Sequence, residues 1–273
     1  MQTIQSESGI DVPYERRGDG PPLILLHGGM APAEYWTPVV SHLDDFTTIV
    51  PRRPGFGTCL ADRDEIGAAD VLDREVEYVR ALVDAVDDEP ILVGHSYGAL
   101  TAIEAATDAV ASAVVAYEPA ILPDDYRRDA DLADRMQSLL EAGKRREAVK
   151  RYVEQVLHPD GVDDLDAWLA AWPPWPTCVD LAEEVVRMNR AVEQYRLPDR
   201  LDVSAPVLVL SGTDGPDFLR ESARAVHEAA PHSRFVEFDG VSHAGPAEAP
   251  ERIAATIRSF LHANSRAVPT PLR

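Results

Sequence analysis

Two spacings of apolar residues alternate along the chain. Short unbroken runs, such as Pro22-Leu23-Ile24-Leu25-Leu26, are followed by longer stretches where apolar residues return every three or four positions. The unbroken runs predict strands buried on both faces, and the longer period predicts helices packed over them. Strands are expected over 22–26, 47–50, 90–93, 113–117 and 206–210, with weaker ones over 9–16 and 235–238. Helices are expected over 73–86, where Val76, Val79, Leu82, Val83 and Val86 share a face, over 99–106, and over 248–261. This alternation predicts an α/β fold with a mostly parallel sheet covered by helices.

The middle of the chain breaks the pattern. No β run occurs over 123–202, and helices are expected over 131–140, 146–156, 164–172 and 181–195. Three of the four tryptophans, Trp168, Trp172 and Trp175, cluster there around Pro173, Pro174 and Pro176. The predicted organisation is a sheet domain over 1–119 and 203–265, a helical insertion over 120–202, and a frayed tail over 266–273.

Charge narrows the choice of partners. The 273 residues include 47 acidic and 26 basic ones, a formal net charge of −21. Such a chain repels phosphate backbones and anionic membrane surfaces, so neither nucleic acid nor membrane is an expected partner. No apolar run reaches the length of a spanning helix, and the first residues carry no signal-peptide pattern. Cys59 and Cys178 lie far apart and suggest neither a disulfide framework nor a metal site. The expectation is a cytoplasmic protein, monomeric or homodimeric. Only Lys144 and Lys150 are lysines, which, with the acidity, suits a salt-rich solvent that screens self-repulsion; a GC-rich genome would also favour arginine.

Three segments carry candidate chemistry. Gly94-His95-Ser96-Tyr97-Gly98 follows a predicted strand and opens a predicted helix, the setting a G-x-S-x-G nucleophile turn requires. Glycines at both ends permit the sharp turn, and Ser96 becomes the candidate nucleophile. His27-Gly28-Gly29-Met30 closes the strand over 22–26. There the Gly29 and Tyr97 N–H groups are the candidate oxyanion hole, and His27 is expected to hold the loop at the pocket wall. His243, in Gly240-Val241-Ser242-His243-Ala244-Gly245, follows the last predicted strand and is the candidate base.

In this order the segments resemble the α/β-hydrolase family, from about residue 9 to 261. The resemblance implies an eight-stranded, mostly parallel sheet, a helical cap over the active site, and a Ser–acid–His triad in that chain order. The acid departs from the common pattern. The family usually places it three residues after a glycine that closes the strand before the last, and Gly215 occupies that place here. Asp214, one residue earlier, is favoured. Glu118, at the end of the preceding strand, is the rival, because some members of the family place their acid there.

The expected reaction is hydrolysis of a small to medium acyl substrate, an ester, thioester or lactone, through an acyl-enzyme and without metal or organic cofactor. Carbon–carbon bond hydrolysis and cofactor-free perhydrolysis on the same triad remain open. So do a lyase or isomerase using His243 alone and a non-hydrolytic ligand-binding or biosynthetic protein. Candidate pocket residues are His27, Met30, Trp36, Trp168 and Trp172, with Tyr35, Phe56, Trp175, Met188 and Tyr195 as further apolar candidates.

Overall fold

The computed structural model describes residues 1–53, 68–128, 130–157 and 162–265. One sheet contains β1 (Gln2–Gln5), β2 (Asp11–Arg17), β3 (Pro22–Leu26), β4 (Thr47–Pro51), β5 (Ile91–His95), β6 (Ala113–Tyr117), β7 (Val207–Gly212) and β8 (Ser233–Phe238). Their spatial order is β1-β2-β4-β3-β5-β6-β7-β8. β2 runs antiparallel to β1 and β4, and the other neighbours are parallel. The fold is thus an eight-stranded, mostly parallel sheet flanked by helices.

The pleat explains the unbroken apolar runs. In β3, Leu23 and Leu25 face one side of the sheet and Ile24 and Leu26 the other, and each side meets its own core. A 3-10 turn (Ala33–Trp36), α1 (Thr37–Val40) and the closing pair α11 (Gly245–Glu248) and α12 (Pro250–Ser265) pack against one another. Trp36, Val39, Ile253 and Ile257 fill the core on the Leu23 side. On the Ile24 side lie residues of α2 (Ala68–Asp84) and α3 (Tyr97–Asp108), including Val76, Leu82, Leu100 and Ile103. In α3, Ala99, Ala102, Ala105 and Ala106 are all buried, small residues that let the helix lie close on the strands.

Between β6 and β7 the chain is helical: α4 (Asp124–Arg127), α5 (Leu132–Glu141), α6 (Arg145–Tyr152) with a π turn (Val153–Leu157), α7 (Leu165–Ala171), α8 (Trp175–Asp180) and α9 (Ala182–Gln194). Between β7 and β8 lies α10 (Asp217–Ala229). Among the described residues, no helix is long and apolar enough to cross a membrane.

The structure extends the sequence pattern in several places. β1 goes unannounced because only Ile4 of its four residues is even half-buried. α10 buries Leu219, Ser222, Ala223 and Val226, a stripe too rich in small residues to stand out as apolar. α8 arises inside the Trp-Pro cluster, since Pro176 falls in its first turn, where no backbone donor is needed. The predicted tail over 266–273, Phe56 and Cys59 lie outside the described residues.

Candidate active site

The chain leaves β3 toward β4 on one side and leaves β5 toward β6 on the other. Loops diverging from adjacent parallel strands open a crevice at the strands' carboxyl ends. The His27-Gly28-Gly29 loop and the Ser96 turn flank this switch point.

Ser96 has φ 56° and ψ −119°, a left-handed conformation that a side chain adopts at a cost of about 1–3 kcal/mol. Surrounding contacts hold it there. Its N–H donates to the Tyr117 carbonyl at 2.9 Å, and its carbonyl accepts from Ala99, Leu100 and Ala120 at 2.9–3.1 Å. A Cβ on Gly94 would lie 2.3 Å from the Gly98 carbonyl oxygen, and one on Gly98 would lie 2.2 Å from that of Leu26. Both glycines are therefore required by close backbone approach. Tyr97 begins α3, so its N–H has no partner within the helix.

His243 sits in the loop after β8 and is buried, 6% exposed. Its Nδ1 lies 2.6 Å from Oε2 of Glu118, whose side chain is fully buried. The other oxygen of Glu118 accepts from the Ser211 hydroxyl at 3.0 Å and the Gly212 N–H at 2.9 Å. A carboxylate so surrounded accepts the Nδ1–H, leaving the lone pair on Nε2 of His243. That Nε2 is buried and has no hydrogen-bond partner among the described residues. Glu118 has φ 41°; it and Ser96 are the non-glycine residues of positive φ among those described.

Asp214 is placed differently. It is exposed, and its carboxylate accepts from the Thr213 hydroxyl at 2.8 Å, while its N–H donates to the Val241 carbonyl. The structure brings Glu118, not the favoured Asp214, to the imidazole. The reason is visible at Gly215, where a Cβ would stand 2.8 Å from Oε1 of Glu118. The Glu118 carboxylate fills the space beside Gly215.

The imidazole loop is fastened to the serine turn through His95. Its Nε2 donates to the His243 carbonyl at 2.8 Å, and its ring lies 4.6 Å from that of His243 and 4.8 Å from that of Tyr35. Burial, and then the neighbouring His243, hold His95 well below the usual imidazole range, so it stays neutral. The Tyr117 hydroxyl donates to the Ser242 carbonyl at 2.6 Å, and the Ser242 hydroxyl to Glu248 at 2.7 Å, fixing the same loop.

His27 is fully buried, with Nδ1 3.0 Å from the Gly28 carbonyl. Burial, then the charge of Arg53, push its imidazole down to about 3. Gly29 faces the inserted helices: a Cβ there would lie 2.3 Å from Sδ of Met188 on α9 and 3.6 Å from the Tyr152 hydroxyl on α6. Met30 is buried nearby, and its carbonyl accepts from Sγ of Cys178 on α8 at 3.5 Å. Burial pushes that thiol up to about 12. Trp168 and Trp172 stack at 5.6 Å, half-buried on the same core. Trp36, expected at the pocket, belongs instead to the core on the opposite face of the sheet.

Arg53 was not singled out in the sequence, where it sits in a turn-like Pro51-Arg52-Arg53-Pro54 run. It is 6% exposed and pairs through Nε with Glu75 Oε2 at 3.0 Å. Burial is the largest single influence and works against its charge, but Glu75, Tyr97 and Glu184 together outweigh it and hold the guanidinium above its usual range. A buried arginine leaves no periodic signature, so only the tertiary structure discloses it.

Comparison with known proteins agrees with this architecture. The model of the alpha/beta hydrolase family matches residues 23–256. A curated (E)-2-((N-methylformamido)methylene)succinate hydrolase of Acinetobacter baylyi is 24% identical, covering 95% of this chain and 97% of its own. Among solved structures, an alpha/beta hydrolase from Sphaerobacter thermophilus superposes with a TM-score of 0.79 at 25% identity, over 95% of this chain and 99% of its own. The enol-lactonase from Burkholderia xenovorans superposes with a TM-score of 0.75 at 18% identity, over 96% of this chain and all of its own.

Proposed function

The chain belongs to the alpha/beta hydrolase family and is a hydrolase, and from that premise we propose that it cleaves a small to medium acyl substrate with Ser96 as nucleophile. His243 takes the Ser96 proton at Nε2 as the hydroxyl attacks the acyl carbon. Glu118 orients the imidazole and stabilises its charge. The Gly29 and Tyr97 N–H groups receive the oxygen that becomes negative. The protonated His243 then gives its proton to the leaving group. Water, deprotonated by the same imidazole, hydrolyses the acyl-enzyme and frees Ser96. Helices α4–α9, over 120–202, form the cap, and Met188 and Tyr152 close it over the acyl oxygen.

The observation that carries this reading is the buried Glu118–His243 pair, tied to the serine turn by His95, the residue beside Ser96. Ordinary surface histidines have no such support. The named activities of the relatives, on a methylene succinate and on an enol-lactone, fit an acyl or related carbonyl substrate.

The test uses p-nitrophenyl esters of increasing chain length and an active-serine fluorophosphonate probe. Wild type hydrolyses the short esters and is labelled. Ser96→Ala loses labelling and about 10³-fold or more in kcat. Full activity in a folded Ser96→Ala overturns the reading.

A further inference from the structure

We propose that Arg53 is a positioning residue for the oxyanion hole. It holds the Gly28 carbonyl from behind, and the shared peptide plane then turns the Gly29 N–H toward the reacting oxygen. The proposal rests on Ser96 acting as nucleophile.

Nη1 of Arg53 donates to the Gly28 carbonyl at 3.0 Å. That carbonyl and the Gly29 N–H belong to one trans peptide unit, so they point in opposite directions. Fixing one fixes the other. The unit needs fixing because it joins two glycines, whose backbone turns over at little steric cost. Gly28 lies against the chemistry: a Cβ on it would be 3.4 Å from the Ser96 Cβ and 2.9 Å from Nδ1 of His95. The His27 imidazole and the Ala31 N–H also reach the Gly28 oxygen, at 3.0 and 3.2 Å. Arg53 is the charged donor of the three, and charge-assisted bonds are the stronger ones. A cation on the carbonyl also polarises the peptide and makes its N–H a better donor.

Arg53 also touches the second half of the hole. Its guanidinium carbon lies 4.7 Å from the ring centre of Tyr97, whose N–H is the other proposed donor. Nη2 lies 3.7 Å from Sδ of Met188, which covers Gly29 from the cap side. One buried side chain thus contacts the residue before one donor, the residue bearing the other, and the side chain above them. A buried ion pair is a poor way to gain stability, since well-packed apolar residues do as well or better. Orientation of the Gly28–Gly29 peptide gives the Arg53–Glu75 pair a reason to exist at this place.

The experiment compares wild type with Arg53→Lys and with Arg53→Met/Glu75→Gln, which removes both charges so that no carboxylate is stranded. Readouts are melting temperature, kcat and KM on a short p-nitrophenyl ester, and inhibition by an alkyl trifluoromethyl ketone and by its trifluoromethyl carbinol. The ketone forms an oxyanion on Ser96, whereas the carbinol only fills the pocket. For the double variant the expected result is a kcat about 10- to 100-fold lower with KM within about twofold. Ketone affinity falls by a similar factor while carbinol affinity holds. Arg53→Lys, which keeps a cation for Glu75 and one donor for Gly28, falls between. Unchanged kcat and ketone affinity in either folded variant overturn the proposal. So does an equal loss of ketone and carbinol binding, the mark of general disorder. If the double variant does not fold, Arg53→Lys decides on the same readouts. Ser96→Ala separates the two levels. Undiminished hydrolysis there overturns the nucleophile and this proposal together, whereas failure confined to the Arg53 variants leaves the nucleophile standing.

Discussion

Nδ1 of His243 lies 2.6 Å from Oε2 of Glu118, and that carboxylate occupies the space beside Gly215. Glu118 comes from the end of β6, while Asp214 points away into a turn at the end of β7. The two carboxylates are therefore expected to differ sharply. Glu118→Gln should lower kcat on the order of 10³- to 10⁴-fold, because the amide no longer enforces the tautomer or stabilises the imidazolium. Asp214→Asn should stay within about threefold of wild type, since its contacts are those of a turn residue. Steady-state kinetics of the two variants, with melting temperatures as a control, check this. Comparable losses in both would remove Glu118 from its proposed role.

Acid should destabilise the fold well above the carboxylate range. His27 is depressed to about 3 and His95 is depressed as well, both first by burial, whereas an unfolded imidazole titrates near 6.5. Below 6.5 the unfolded chain therefore binds protons that the folded one refuses. Stability is present in full above about pH 6.5 and is lost as pH falls toward 3. Each such histidine adds up to about 1.4 kcal/mol per pH unit within that window. Urea unfolding at pH 7.5, 6.0, 5.0 and 4.5 measures the slope, and His27→Asn should reduce it. A flat profile across these points contradicts the burial of neutral imidazoles.

A second buried ion pair joins α2 to α9. Nη2 of Arg74 lies 2.6 Å from Oε1 of Glu184, and both side chains are at most 6% exposed. Arg187 meets the other oxygen of Glu184 at 3.0 Å. Glu184→Ala strands the Arg74 guanidinium and should cost about 3–5 kcal/mol. Arg74→Met/Glu184→Leu should cost much less, because no deeply buried charge is stranded, and Arg187, which also loses Glu184, is partly exposed to solvent. Denaturant titrations of both variants test the difference; equal losses would mean that packing, not stranded charge, sets the cost.

The net charge of −21 leads to a salt prediction. Many acidic side chains, among them Asp44, Asp124, Asp125 and Asp166, are exposed at element ends or on the inserted helices. Raising NaCl from about 0.01 to 1 M shrinks the Debye length from about 30 to 3 Å and should raise the melting temperature. A fall over the same range would mean that the surface ion pairs outweigh the self-repulsion.

The amino-acid sequence by itself determined what local rules control. Apolar-rich runs located five of the eight strands, because a strand buried on both faces is mostly apolar, and weaker patterns located the partly exposed β2 and β8. Gly94 and Gly98 located the serine turn, because only glycine tolerates backbone at 2.2–2.3 Å from its Cβ position. The order of Ser96 and His243 along the chain pointed to the reaction class. The tertiary structure decided what depends on residues far apart in sequence. Glu118 and His243 stand 125 residues apart, and nothing near either one says that they meet. Asp214 had the better position in the sequence, but a carboxylate acts where its oxygens lie, and the space beside Gly215 went to Glu118. Trp36 looked like a pocket residue, but the 3-10 turn after β3 packs it into the core under the other face of the sheet. Arg53 had no local signal, because its charge is compensated by Glu75 on a distant helix and its partner at the site is a backbone carbonyl. Hydrophobic periodicity and turn chemistry are properties of neighbouring residues, whereas hydrogen bonds and ion pairs across the fold are properties of distances that only the folded chain possesses.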